Sequence, residues 1–393
     1  MKKNLLFTLS ARWIALFGSY LQIAILPIIL FNITHSASLL AKTYLAETLP
    51  WIFVSPFLIP FLNKYANDKL VICINPIIRG VLVVLLAIFI YNHYTVVVIF
   101  FILGIMNAIN ASYNMKLMKS VIPEDRLDSY LGIILALDDV ISVIAPLIVT
   151  FLLAKDVQPM IIIIINAFAL TLNSLILFQV EMKWVHKNEI NENKKVGISR
   201  ESILWLFKNS KMRLLTTIEM LRSIAEGIFI PLLIVYFNVM IGGKDETFSF
   251  AGTLMCLAQV VFSFMYTIMS NRFHKKRLIM FATLSICFSL FIFINTKSVI
   301  FFLMASVLLG AGMSIRQLVA ENMLISIPSE KDIAMATTNY NATIASAYLI
   351  GYFISVTQTK NNVIIYFKVA LLITIFSLII AMRYNEVIVI EPE

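Results

Sequence analysis

Three charged residues lie close together inside a long apolar segment, where an uncompensated charge is energetically unfavourable. Glu219, Arg222 and Glu226 follow one another at spacings of three and four residues, so on a helix they share one face. A charge at membrane depth costs at least ~2.5–3.5 kcal/mol and therefore faces a cavity or a partner. Two interpretations stay open. Either Glu226 binds a proton or a cationic substrate, with Arg222 tuning its proton affinity, or the residues form a structural ion-pair ladder, the role that suits Glu219.

A pair of adjacent aspartates lies within another apolar segment. Asp138 and Asp139 are ~16 Å along a helix from the start of that segment, close to the middle of a bilayer. Neighbouring residues of a helix point about 100° apart, so the two carboxylates cannot face one cavity in the same way. We expect one of them to face a pathway and couple to protons, and the other to pack against a neighbouring helix or polar group.

Four more charged residues lie in apolar segments. Glu47 either takes up a proton or contacts a substrate, or it forms an ion pair with Arg12 or Arg79. Arg79, Arg316 and Glu321 fall in the inner halves of their segments. There they either form salt bridges that gate the protein or extend their polar ends to the membrane surface.

The composition indicates that these charges belong to a membrane protein. Hydrophobic residues make up 60% of the 393 residues and charged residues 13%, against about 25% charged residues in soluble domains. The mean hydropathy is +0.90. The net charge of +9 comes from short basic runs between apolar segments, which is typical of membrane topology and not of nucleic-acid binding. We expect the lipid bilayer as a partner, and no nucleic acid.

Residue patterns for metal binding or enzymatic catalysis are missing from the sequence. The three cysteines, Cys73, Cys256 and Cys287, are far apart, and the four histidines have no metal-ligand spacing. The sequence also has no Gly-rich phosphate cradle. We expect no metal, no cofactor and no enzymatic activity.

The elements that position the charged residues are twelve predicted membrane helices, each near the ~20 apolar residues that a span needs. They cover residues 8–31, 39–62, 71–91, 95–117, 128–153, 160–180, 214–239, 248–270, 277–295, 299–322, 334–357 and 363–383. Most of the 31 Lys and Arg residues fall in the alternate loops that share a side with the N-terminus. Cytoplasmic loops carry this excess, so both termini are predicted to be cytoplasmic.

The two halves of the chain repeat one another. Three pairs of landmarks are separated by 204 to 208 residues, namely Pro27 and Pro231, Pro123 and Pro328, and Asn63 and Asn271. Internal symmetry of this kind is typical of secondary transporters. We predict a six-helix bundle over 1–181, a cytoplasmic linker over 182–212 with a short amphipathic helix around 203–207, and a second bundle over 213–393.

Twelve spans, a long middle loop and basic loops after spans two and eight resemble the major facilitator superfamily. Residues 18–27, 38–41 and 46–50, with Arg79-Gly80, resemble its macrolide-efflux branch, which includes drug and siderophore exporters. The resemblance implies an all-α polytopic membrane protein with two pseudo-symmetric six-helix bundles. Two positions depart from the family pattern, with Asn63 where an Asp is normal and Ile141 where a Gly is expected.

The sequence thus predicts a secondary active transporter in a bacterial plasma membrane. We expect a monomer that exports a small amphipathic molecule, drug-like or antibiotic, by proton-coupled alternating access. The first alternative is a dedicated exporter of a self-made metabolite such as a siderophore. The second is a membrane sensor or immunity protein built on a transporter scaffold.

Overall fold

The computed structural model describes residues 2–54, 58–121, 127–180, 206–207, 209–326, 333–358 and 362–383. Within these ranges the regular structure is helical. In the first half the helices are α1 (Lys2–Thr34), α2 (Ala37–Phe53), α3 (Ile59–Tyr65), α4 (Asp68–Ile88), α5 (His93–Val121), α6 (Leu127–Ala154) and α7 (Pro159–Phe178). In the second half they are α8 (Ser210–Phe229), α9 (Leu233–Tyr236), α10 (Asp245–Arg272), α11 (Lys275–Asn295), α12 (Val299–Ser326), α13 (Ile333–Val356) and α14 (Val363–Arg383).

Ten helical segments of the described residues are long and apolar enough to cross a bilayer. The other two predicted spans fall on α2 with α3 and on α13. Helix α2 has 17 residues and ends at Phe53, and α3 begins at Ile59 with a proline in its first turn, where the missing N–H is not needed. Helix α13 carries Asn339 and Asn341, which lower its hydropathy.

The chain divides into two compact units. The first comprises Met1–Gly197 and Lys244–Thr253, and the second Ile198–Gly243 and Leu254–Glu393. The bundle and linker boundaries predicted from the sequence stay a prediction, because residues 181–205 and 208 lie outside the described residues. The same holds for most of the short helix predicted around 203–207, and for the repeated loop residues 122–126 and 327–331.

The packing of helices supports the internal repeat. In the first unit α1 packs on α6 and α7, and α4 packs on α5 and α7. In the second unit the corresponding helices pair in the same way, with α8 on α13 and α14, and α11 on α12 and α14. Glycines allow an equivalent close approach in each unit, since a Cβ on Gly104 would overlap the carbonyl oxygen of Glu47, and one on Gly310 that of Met255.

Each unit has its own buried apolar core. In the first unit the core includes Leu9, Ile72 and the fully buried Tyr113. Large apolar side chains also cover the outside of the helices, and Phe168 is 68% and Phe353 67% exposed. Such surfaces are unfavourable in water but are what lipid tails solvate.

Candidate functional site

The second unit buries a set of four charged side chains. Arg222 and Glu226 form an ion pair one helical turn apart on α8, and the Nε atom of Arg222 donates to Glu219 at 3.2 Å. Arg316 on α12 pairs with the same carboxylate of Glu219. The predicted ladder therefore exists, and a cation from another helix completes it. Two positive and two negative charges balance in a region that water hardly reaches.

Tyr348 of α13 closes this set of charges from the other side. Its hydroxyl donates to Oε2 of Glu226 and accepts from Nη2 of Arg222 at 3.3 Å. The guanidinium of Arg222 also lies 5.8 Å from the ring centroid, within the range of a cation–π contact. The other carboxylate oxygen of Glu226, Oε1, is buried without a hydrogen-bond partner among the described residues.

A close crossing of α8 and α13 holds Tyr348 against Glu226. A Cβ on Gly227 would lie 2.6 Å from the carbonyl oxygen of Tyr348, and a Cβ on Gly351 would overlap the carbonyl oxygen of Ile224. Pro231 has no N–H and leaves the carbonyl of Gly227 without its helical donor. The hydroxyl of Ser355 lies 3.0 Å from that oxygen and 2.6 Å from that of Ile228. Ser355 of α13 therefore binds the carbonyl end of α8, where the chain continues into the 3-10 turn Ile230–Leu232.

In the first unit the predicted Asp138 is paired with Arg12. Nη2 of Arg12 lies 2.6 Å from Oδ2 of Asp138, and Nε lies 3.2 Å from the same oxygen. The side chains are 28% and 14% exposed, so this ion pair is far more accessible than that of the second unit. It connects α1 to α6. The carboxylate of Asp139 forms no hydrogen bond or ion pair with a described residue, and Asp138 is its charged neighbour. The backbone carbonyl of Asp139 accepts a hydrogen bond from the hydroxyl of Ser142 at 2.7 Å.

Glu47 is held by an amide and not by an arginine. Nδ2 of Asn107 on α5 donates to Oε1 of Glu47 at 2.9 Å, where Gly104 brings the backbones of α2 and α5 together. Arg79 interacts with Glu47 electrostatically, but no ion pair within 4.0 Å joins them. Glu47 also borders a small cavity of about 80 Å³, together with Gln22, Thr43 and Tyr44.

A larger polar cavity of about 310 Å³ lies inside the first unit. It is lined by residues of α1, α2, α4, α5 and α7. The polar and aromatic residues on its wall are Thr8, Arg12, Ser19, Trp51, Arg79, Asn107, Asn110, Asn114 and Asn173. The cavity thus brings together two of the cations that the sequence singled out.

The residues predicted to act as gates occupy different settings. Arg79 lines the polar cavity, and Arg316 belongs to the buried set of charges. Glu321 is exposed and accepts a hydrogen bond from Gln317 at 2.9 Å. Of the three, only Arg316 forms a salt bridge among the described residues.

Sequence reasoning missed three residues that contact the predicted ones. They are Arg12 as the partner of Asp138, Asn107 as that of Glu47, and Tyr348 as that of Glu226. Asn107 was visible as a polar residue in a span, but its partner was not. No group of three potential metal ligands comes together within the described ranges.

An all-helical chain with two repeated units, charges buried inside its spans and lipid-type outer surfaces is a polytopic membrane protein. The sequence profile of the Major Facilitator Superfamily matches residues 8–218 and 215–387, and the chain belongs to this family. It is therefore a transporter-type membrane protein with the twelve-helix, two-bundle fold of the family, as the sequence predicted. No curated protein matches the chain in a direct sequence comparison.

Solved structures with this fold come from transporters of different substrates. A mutant of nucleoside transporter NupG matches with a TM-score of 0.80 at 12% identity, over 97% of this chain and 99% of that chain. A bacterial homologue of iron transporter ferroportin in the inward-facing state matches with a TM-score of 0.72 at 12% identity, over 98% of each chain. An auto inhibited POT family peptide transporter matches with a TM-score of 0.73 at 11% identity, over 100% and 99%. At these identities the likeness concerns the fold alone.

Proposed function

We propose that this protein exports a small amphipathic compound across a bacterial plasma membrane by proton-coupled alternating access. The observation that supports it best is that each unit has a carboxylate in a membrane helix, paired with a cation. These pairs are Asp138 with Arg12 and Glu226 with Arg222. Intramembrane carboxylates of this kind mark proton relays and substrate paths.

The proposed coupling follows from what a proton does to such a pair. A proton on Asp138 removes its charge, so Arg12 loses its ionic partner and the link between α1 and α6 weakens. Proton uptake then changes helix packing, which alternating access requires. We assign proton coupling or substrate binding to Glu47, Asp138, Asp139, Arg222 and Glu226.

Gating is assigned to Arg79, Arg316 and Glu321. Arg316 suits this role because its ion pair with Glu219 ties α12 to α8. Arg79 and Glu321 are included as residues whose partners change between conformations. Both termini are proposed to be cytoplasmic, from the Lys and Arg distribution, and the working form is proposed to be a monomer.

A second candidate is a dedicated exporter of one self-made metabolite, like the siderophore exporters that belong to the macrolide-efflux branch. The cavity of the first unit favours it, because amides and arginines line that cavity. Broad-range drug binding relies instead on adaptable apolar walls. A sensor or immunity protein would have the same fold without net transport.

Transport in proteoliposomes with an imposed pH gradient tests the proposal. We expect Glu226→Gln and Asp138→Asn each to abolish proton-coupled efflux of a dye such as ethidium while the protein stays inserted. Lys368→Gln is the matched control, since Lys368 is an exposed cation on α14 outside these pairs. If both carboxylate variants transport like the parent, the coupling assignment is wrong. If the parent transports neither protons nor any of the compounds tested, the result favours the alternative of a non-transporting sensor or immunity protein.

A further inference from the structure

We infer that the polar cavity of the first unit binds the acidic group of a small, oxygen-rich organic acid, with Arg79 as its cation. The inference rests on the proposed function in one respect only, that this cavity receives the transported compound. It goes further by naming the chemical class of the compound. The argument starts from the hydrogen-bond donors that line the cavity.

Arg79 is a cation that donates no side-chain hydrogen bond to the residues that the structure describes. A guanidinium carries five N–H donors and no acceptor. The Nε atom of Arg79 is buried with no hydrogen-bond partner, and Arg79 forms no ion pair with any residue that the structure describes. Glu47 is the carboxylate that interacts electrostatically with Arg79, but its hydrogen bond comes from Asn107. An arginine at membrane depth without acceptors is costly, so a ligand that brings acceptors is favoured.

The other cation of the cavity is already neutralised. Arg12 gives both Nε and Nη2 to Asp138. A ligand anion would therefore be drawn to Arg79 and not to Arg12. Because the fork of a guanidinium matches a carboxylate with two parallel hydrogen bonds, a carboxylate is the group that Arg79 holds best.

A ladder of amides continues the polar wall beyond Arg79. Asn107, Asn110 and Asn114 are spaced at three and four residues on α5, so they share a face, and all three line the cavity. Asn110 and Asn114 form no hydrogen bond with a described residue. Each amide offers donors and an acceptor, which suits hydroxyl and carbonyl oxygens. Apolar side chains form the rest of the wall, namely Ala15, Leu16, Ile23, Trp51, Leu117 and Leu177, and would contact the carbon skeleton of the acid.

The size of the cavity sets the size of the ligand. At about 310 Å³ it is at the lower end of ligand pockets, which run from ~300 to ~1,000 Å³. Hydroxycarboxylic acids fit both the donors and the volume. A bulky lipophilic cation fits neither, because it would lie beside two guanidinium groups.

Binding of citrate to the purified, inserted protein tests this inference. We use isothermal titration with nanodiscs of phosphatidylcholine, citrate as the acid, triethyl citrate as its uncharged analogue and tetraphenylphosphonium as a lipophilic cation. We expect saturable binding of citrate alone. Arg79→Gln should weaken it roughly tenfold or more, Arg79→Lys should restore part of it, and Lys368→Gln should leave it unchanged.

Several results would overturn the inference. They are no saturable citrate binding by the monodisperse parent, equal binding by Arg79→Gln, or tighter binding of tetraphenylphosphonium than of citrate. If Arg79→Gln does not fold, Asn110→Leu replaces it, and an unchanged citrate affinity in that variant counts against the site. If citrate binds in phosphatidylcholine but not in discs with phosphatidylglycerol, a lipid phosphate is the true anion and the organic acid is wrong.

The outcome is separable from that of the proposed function. Titration needs no pH gradient and no transport. If the parent binds citrate through Arg79 but shows no proton-coupled efflux, the organic-acid site is supported and the proposed transport mechanism is wrong. If the parent exports ethidium under an imposed pH gradient but does not bind citrate, the transport mechanism is supported and the organic-acid site is wrong.

Discussion

Replacing Glu226 by glutamine removes one charge from a buried set that is neutral as a whole. Glu219, Arg222 and Glu226 are each no more than 5% exposed in their side chains, and Arg316 is 11% exposed. In Glu226→Gln two arginines share the single carboxylate of Glu219. Glutamine has the same shape, and its oxygen still accepts from Tyr348. The change is therefore one of charge and not of packing.

The expected loss of stability follows from the burial of these charges. Removing one partner of a buried ion pair costs ~3–5 kcal/mol, because the other partner is left uncompensated. At ~2–4 °C per kcal/mol for a unit of this size, the thermal midpoint should fall by roughly 6–20 °C. Arg222→Gln combined with Glu226→Gln restores neutrality, so the double variant should recover at least half of that loss.

Thermal unfolding of the purified protein measures both effects. The readout is the fraction of protein that stays monodisperse after heating in one detergent. Glu321→Gln is the matched control, because this carboxylate is exposed on α12 and its loss should move the midpoint by less than about 1 °C. The reasoning is refuted if Glu226→Gln is as stable as Glu321→Gln, or if the double variant is no more stable than the single one. A stable Glu226→Gln that has lost transport would assign Glu226 to proton coupling and not to the structural ladder.

Three further changes test the helix contacts. Gly351→Ala places a methyl group against the backbone of α8 and should lower stability by about 1–3 kcal/mol, seen as a lower thermal midpoint. Ser355→Ala removes the one hydroxyl donor that the carbonyls of Gly227 and Ile228 share and should lower stability by about 1–2 kcal/mol. Asn107→Leu removes the donor to Glu47 and should slow proton-driven efflux by about tenfold, with normal insertion.

Each of these changes has a matched comparison. Gly252→Ala should behave like the parent, because no atom lies within 4 Å of the added Cβ; equal midpoints for Gly351→Ala and Gly252→Ala contradict the close crossing. Ser346→Ala is the control for Ser355→Ala, since its hydroxyl bonds only to a carbonyl of its own helix. If Asn107→Leu shows the same efflux as the parent, the hydrogen bond from Asn107 to Glu47 has no role in transport.

Much of the architecture could be predicted from the sequence, because in a bilayer each span must satisfy its own backbone hydrogen bonds. Apolar length therefore predicted helices close to those observed, such as α6 over Leu127–Ala154 against the predicted 128–153. The second predicted span, 39–62, falls on α2, which ends at Phe53, and α3, which begins at Ile59, with residues 55–57 outside the described residues.

Local spacing also predicted one part of the candidate site. Glu219, Arg222 and Glu226 are neighbours on one helical face, and the structure brings them into contact. The partners of these residues could not be predicted in the same way. Tyr348 is 122 residues away from Glu226, and a tyrosine in an apolar segment has many ordinary explanations.

The sequence by itself therefore determined the class of protein and the approximate bounds of its membrane helices, since these depend on the local hydropathy of the chain. Only the tertiary structure decided which charges are compensated. The crossing at Gly104 brings Asn107 to Glu47, and the crossing at Gly227 brings Tyr348 to Glu226. The packing of α1 on α6 brings Arg12 to Asp138. A pairing between helices depends on their rotation and approach, which no spacing within one helix records.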